Sequence, residues 1–283
     1  MIYEKVTPES KEELIRFLKE NEEYSLFLLN NLETYGPELS EALYSGNFKI
    51  LRERDKLIAA FCLTRKGTVL VQCKKFDMKV YEAIVLASLE EKIPISGTVG
   101  EWEFAYSLWN FLKQRKIIQK ETYVSREVLY AVNLDQTDYS PDTDARLLKP
   151  TDFDAWIKLN EAYFLEMGYP GNSLKETHDE FLKLAAQKII WGLFLEGKLV
   201  AIANLNARFS DLGQLGGVYT IPDFRRRGLS TRLIRHIIHD AKALHHLRKL
   251  IIFTGESNHP ARAVYESLGI SPCGHYALLF GAG

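Results

Sequence analysis

The chain has 283 residues, 46% hydrophobic and 12% aromatic, with a formal net charge of −1. That is apolar material for one large domain or two modest ones, and it excludes wholesale disorder. The near-zero balance gives no global electrostatic footprint for nucleic acid or an anionic membrane surface. In chain order, the first half begins MIYEKVTPES, without the basic start and apolar stretch of a signal peptide. Helices are predicted near 11–20 and 23–32, and strands at 47–53, 57–63 and 67–73. Helices follow at about 79–91 and 101–115, and strands close the half near 122–133. The longest apolar run, Leu57 to Leu63, is far short of the roughly 20 residues that span a bilayer. Cys62, Cys73 and Cys273 form no CxxC pair. They therefore read as thiols of a reduced, cytoplasmic protein rather than a disulfide framework or a structural zinc site.

LDQTDYSPDTD, Leu134 to Asp144, is polar, has no apolar periodicity and reads as a linker. Beyond it come a short strand at 145–149 and a helix at 152–166 with Thr151 as its expected cap. A turn-rich loop, 167–173, and a helix at 174–187 follow. Strands at 189–195 and 198–208 form a hairpin, and 214–220 is a third strand. A long amphipathic helix at 229–244 precedes an apolar strand at 249–254. A short helix at 260–268 ends on Gly269 as a C-cap, and Tyr276 to Phe280 is expected to close this sheet.

The halves differ in charge but share a pattern. Residues 1–142 carry a balance of −4 and residues 143–283 one of +3; all seven histidines lie in the second half. KLIAAFCL at 56–63 matches KLVAIANL at 198–205, an offset of 142 residues, half the chain. Each follows a charged tight turn and an earlier apolar run, so each reads as the second strand of a hairpin.

The segment that carries chemistry is GVYTIPDFRRRGLSTRLIRHII, Gly217 to Ile238. An apolar strand enters a Pro-containing turn; three arginines, a glycine, Leu229 and Ser230 lead into a helix. The first N–H groups of a helix have no intrahelical acceptor, and the helix dipole places positive charge there. Gly228 permits close approach, Ser230 stays small, and Arg225, Arg226 and Arg227 add charge, so a pyrophosphate-like polyanion fits. A solvated basic turn is the alternative. Neither the Rossmann nor the Walker spacing is present.

This segment resembles motif A of the GNAT acyltransferase superfamily: Gln or Arg, two residues, Gly, one residue, then Gly or Ala. Here it runs from Arg225 through Gly228 to Ser230, with Ser in the last place. A second stretch, FTGESNHPARAVYESLGISP, is similar to the motif N-x-x-A-x-x-x-Y-x-x-x-G followed by Phe or Ile. It matches through Asn258, Ala261, Tyr265, Gly269 and Ile270. The joint pattern resembles the glycine N-acyltransferase-like branch most.

The resemblance implies an α/β (α+β) protein of two tandem GNAT-like domains, each a mixed, mostly antiparallel sheet flanked by helices. A degenerate domain would span 1–138 and an acyl-CoA-binding domain 143–283. It implies acetyl-CoA or another acyl-CoA as cosubstrate, with no metal. The pyrophosphate would lie on backbone amides from Arg226 to Ser230, Leu229 included. Val218, Tyr219 and Thr220 would line the pantetheine arm, and Asn258 would face the cosubstrate near the thioester. Tyr265 would be general acid to the departing thiolate. The expected reaction is N-acylation of a primary amine of a small molecule or amino acid by direct attack. Alternatives are a non-catalytic acyl-CoA-binding sensor or scaffold and a protein or peptide N-acetyltransferase. No nucleic-acid or membrane partner is expected, and the sequence does not fix the oligomeric state.

Several residues keep two readings. Tyr265 shares a helical face with Ala261 and Leu268, so it is either the acid or a core aromatic. Asn258 is a cosubstrate ligand, a helix cap, or both. Glu161, Glu166, Asp211 and Glu256 are candidates for the general base or are solvated carboxylates. Loop 167–173, with Tyr169, is a candidate lid. His236 and His239 are spaced i, i+3 near His245 and His246, but no further ligands complete a metal set. In the first half, SGTVGEWEFAYSLWNFLK at 96–113 is taken as the counterpart of the anion segment; its Glu101 and Glu103 would repel a phosphate. Glu33, Tyr35 and Gly36 are loosely similar to the amino-terminal part of some two-domain acyltransferases.

Overall fold

The computed structural model describes residues 3–74, 76–168 and 173–283. Its elements, in chain order, begin with β1 (Glu4–Lys5), α1 (Pro8–Lys19), α2 (Glu22–Tyr35), β2 (Gly46–Glu53) and β3 (Lys56–Thr64). Next come β4 (Thr68–Cys73), α3 (Met78–Glu91), β5 (Gly97–Glu101), α4 (Trp102–Gln114) and β6 (Lys120–Asn133). The remainder holds β7 (Ala145–Leu147), α5 (Phe153–Met167), α6 (Leu174–Ala186), β8 (Ile190–Leu195) and β9 (Lys198–Phe209). It ends with β10 (Leu212–Thr220), α7 (Leu229–His245), β11 (Lys249–Gly255), α8 (His259–Ser267) and β12 (Pro272–Ala282). Local chemistry accounts for several starts. Thr7 and Ser10 cap α1 reciprocally, and Ser173 and Glu176 do the same for α6. The expected Thr151 cap is not made: Pro150–Asp152 is a 3-10 turn, and α5 starts after Asp152 without a side-chain cap.

The chain divides into two compact units. One comprises residues up to Leu129 with Phe253–Asn258 and Pro272–Gly283; the other comprises Tyr130–Ile252 and His259–Ser271. In the first, the strand order is β1-β2-β3-β4-β5-β12, continuing to β6. β4 and β5 are parallel, with Leu70 opposite Val99; β2, β3 and β4 are antiparallel neighbours. The core joins Phe61, Val69 and Val71 to Ile84 of α3 and to Leu108 and Trp109 of α4.

The expectation for Tyr276 to Phe280 is corrected here. β12 does not close the sheet of the second unit; it pairs antiparallel with β5, Tyr276 opposite Glu101 and Phe280 opposite Gly97. Side-chain fit explains the choice. A Cβ on Gly97 would lie 2.5 Å from the Phe280 ring, and Ala277 and Leu279 are fully buried in the first unit's core. β5 itself carries little strand signal in the sequence: GTVGE is short, has two glycines and lacks alternation.

The second unit has the order β11-β10-β9-β8-β7, with β10 and β11 parallel and the rest antiparallel. Leu233, Ile234, Ile237, Ile238 and Ala241 form the buried face of α7. The 142-residue offset holds in detail at the hairpins. Glu53 pairs with Lys56 and Leu195 with Lys198. Both turns have two residues at positive φ, Arg54 and Asp55 in one and Glu196 and Gly197 in the other. Register shifts fall between Leu51 and Arg52 and between Leu193 and Phe194, again at that offset.

The linker is pinned rather than loose. Leu134 is fully buried, and its N–H donates to the Arg248 carbonyl. Arg232 of α7 donates to both Asp142 carboxylate oxygens at 2.7 and 2.8 Å, and to Asp144 at 2.6 Å. The Asp142 N–H donates to His236 Nδ1, whose Nε2 lies 3.2 Å from Asp240. His236 therefore has a structural role within this unit. Among the described residues, no three His, Cys, Asp or Glu side chains gather to hold a metal. Among those residues too, no helix is long and apolar enough to cross a membrane.

Candidate acyl-CoA site

The second unit's candidate site begins with a strand that loses its regularity. β10 pairs with β11 from Leu212–Lys249 to Leu215–Ile252. Beyond Leu215, the pairing found among the described residues is with β9 alone, and it skips register between Gly216 and Tyr219. This is a β-bulge, with Gly217 at φ +61°. Gly217 is required there twice over, since a Cβ would also strike Asn204 Oδ1 at 2.4 Å. The bulge leaves Val218 half-buried and turns Tyr219 and Thr220 inward. The GG doublet inside a strand was the sequence signal for it.

After Thr220 the chain makes a 3-10 turn, Pro222–Phe224. Arg225 to Gly228 are exposed. Arg226 is at φ +61° and Gly228 at φ +72°, so the backbone curls around the start of α7 and turns successive N–H groups toward one concavity. Gly228 is the N-cap, and no side chain caps the helix. The first intrahelical bond runs from Arg232 N–H to the Gly228 carbonyl, so the preceding amides have no intrahelical acceptor. A Cβ on Gly228 would meet nothing within 4 Å. Open space, uncapped donors and the positive end of a 17-residue helix coincide, which suits a phosphate.

The three arginines do different work. Arg225 is a brace: its Nε donates to the Thr220 carbonyl at 2.9 Å and its Nη2 to Glu166 at 2.6 Å, over the Tyr219 ring. The ion pair with Glu166 favours the charged guanidinium further. Arg227 donates to the Asp223 carbonyl and lies over Phe224. Ser230 bonds the Thr220 hydroxyl at 3.0 Å, tying the first turn of α7 to the end of β10. Ser230 is therefore a tie as well as a small residue, and its partner, ten positions earlier, is not legible from the motif.

Tyr265 lies on α8 of the same unit, 4% exposed, with its ring 5.3 Å from that of Tyr130. α8 packs against α7. Asn258 falls in the other unit and donates its N–H to the Gly255 carbonyl at 2.8 Å, just before α8 begins. The candidate bases are largely engaged. Glu166 pairs with Arg225, Asp211 with Arg248 and Glu256 with Arg126, while Glu161 is exposed. Tyr169 and most of the candidate lid lie outside the described residues.

Comparison with known proteins bears on the family and the fold. Residues 153–270 match the model of the Acetyltransferase (GNAT) family. No curated protein matches the chain. Among solved structures, a Drosophila protein aligns with a TM-score of 0.71 at 14% identity, over 99% of this chain and 98% of that one. A GCN5-related N-acetyltransferase from Sphaerobacter thermophilus aligns at 0.61 and 14%, over 98% and 94%. A tandem GNAT protein from the clavulanic acid biosynthesis pathway aligns at 0.56 and 11%, over 98% and 97%. The fold is the GNAT fold. In it, the region around the start of α7 is the stretch that the sequence likened to motif A.

Proposed function

We propose that the protein is a GNAT-type N-acyltransferase, moving an acetyl or other acyl group from acyl-CoA to a primary amine of a small molecule or amino acid. Its motif spacing is most similar to the glycine N-acyltransferase-like branch. The observation that carries this reading is the uncapped start of α7, directly after a bulged strand whose pairing with β11 stops at Leu215. The backbone amides from Arg226 to Ser230 would hold the pyrophosphate, and Arg226 and Arg227 would add positive charge beside it. Val218, Tyr219 and Thr220 would line the pantetheine arm. Bound acyl-CoA would supply the activated thioester carbonyl.

As the attacking amine forms the carbon–nitrogen bond and the carbon–sulfur bond breaks, Tyr265 would give its phenolic proton to the departing sulfur; the amine would lose its own proton to water, which restores the phenol. A phenol is a weak acid able to share its proton with a departing thiolate. Its burial keeps the proton from exchanging freely with bulk water.

The test is calorimetric titration with acetyl-CoA, followed by a screen of amines for free-thiol release. Saturable binding with amine-dependent release supports the transferase. Binding without release across a broad panel supports a sensor, and no binding overturns both.

A further inference from the structure

One carboxylate in the first unit has no role in the chemistry above. Glu127 of β6 is 4% exposed, and its Oε1 accepts a hydrogen bond from Ser125. Among the described residues, no cation and no second donor reaches it. Burial raises its carboxyl above the usual range, opposed only by the Ser125 hydroxyl. Its neighbour Arg126 points to the opposite face of the strand, where its guanidinium meets Glu256 and His275. A buried carboxylate without a positive partner is costly, and a cationic ligand removes that cost.

The surroundings leave room for such a ligand. The Glu256 N–H donates to the Arg126 carbonyl, which places Gly255 beside Glu127 across the antiparallel pair. A Cβ on Gly255 would meet only the Ser125 hydroxyl, at 3.8 Å. Two residues back on the same face, Phe253 stacks on Tyr276 at 5.1 Å, and Phe27 lies 6.2 Å from both rings. Phe253 and Phe27 are only half-buried. The space over Gly255 is thus open beside the Glu127 carboxylate, with the half-buried rings of Phe253 and Phe27 near it, and these residues outline a recess. Ammonium groups are held by carboxylates and by aromatic faces alike, whereas an alcohol in the same place gains only an uncharged hydrogen bond.

We propose that this recess binds the ammonium group of a primary amine carrying an apolar or aromatic substituent, with Glu127 as its counter-ion. This binding site stands on the first unit's own residues and does not depend on the transferase reading.

The probe is phenethylamine, with phenethyl alcohol as the neutral control, followed by ligand-observed NMR at pH 7. The wild-type protein should bind the amine and not the alcohol. Glu127→Gln, which keeps shape and removes charge, should weaken the amine at least about tenfold. Gly255→Leu, which fills the recess and keeps the carboxylate, should do the same. Circular dichroism melting checks that both variants fold. Equal affinity for amine and alcohol, unchanged affinity in both variants, or no binding by wild type overturns the proposal. Gly228→Glu should lose acetyl-CoA and still bind phenethylamine. Failure of acetyl-CoA binding in wild type, with amine binding intact, therefore sinks the transferase reading and leaves the recess standing.

Discussion

α3 and α7 each join two parallel strands, β4 to β5 and β10 to β11, yet they begin in opposite ways. Asp77 caps α3 with its own carboxylate, which accepts the Lys79 N–H at 2.9 Å. α7 begins at Gly228, and among the described residues it has no side-chain cap hydrogen bond. One helix start carries an internal anion; the other leaves the place open. The same comparison corrects the sequence alignment of the two halves. The counterpart of the arginine–glycine segment is the stretch before α3, not 96–113. Residues 96–113 contain β5, the parallel partner, and α4, and so correspond to β11 and α8. The carboxylate at the start of the first unit's connecting helix is that of Asp77; Glu101 and Glu103 lie at β5 and α4 instead.

The comparison can be broken experimentally. The largest effect is expected from Gly228→Glu, which puts a carboxylate where α3 already has one. Acetyl-CoA affinity should fall at least about a hundredfold by calorimetry; unchanged affinity would remove the start of α7 from the site. Next, Tyr265→Phe should slow thiol release by about tenfold to a hundredfold with acetyl-CoA affinity unaltered. A rate equal to wild type would leave Tyr265 as a core aromatic.

Arg232→Met tests the pinned linker. Arg232 holds the Asp142 carboxyl below its ordinary range, so that contribution is full above the unfolded pKa and is lost as pH falls through the folded one. The variant should be less stable by about 1–2 kcal/mol at pH 7 in urea melts, with the difference closing in strong acid. A pH-independent difference would mean lost packing instead. Asp77→Ala should cost about 1 kcal/mol of stability and leave acetyl-CoA affinity unchanged. Smallest, Ser230→Ala should cost about 0.5–1 kcal/mol through the lost Thr220 bond, and thermal melts would detect it.

Much of this was legible because it is local. The KLIAAFCL and KLVAIANL strands, their two-residue turns and the α7 segment are each written within a short window. The Asp77 cap is equally local, an Asp one residue before the first turn of α3. What escaped depends on partners distant in sequence. Nothing in YALLF says that Phe280 will cover Gly97 rather than complete the nearer sheet. Glu127 sits in SREVLY like any strand carboxylate, and its burial follows from β11 and β12 on either side. Arg232 looked like one more cation of a basic helix until Asp142 and Asp144 were found against it. Side-chain periodicity fixes which face of an element is buried, but not which element buries it.

The placement of β12 bears on how the molecule is made. The first unit's core includes Ala277 and Leu279, which leave the ribosome after the whole second unit has been synthesised. At about 5–20 residues per second, the amino-terminal unit waits many seconds with the β5 edge unpaired. A chain cut before residue 272 should therefore harm the unit translated first, and limited proteolysis of stalled nascent chains would show it.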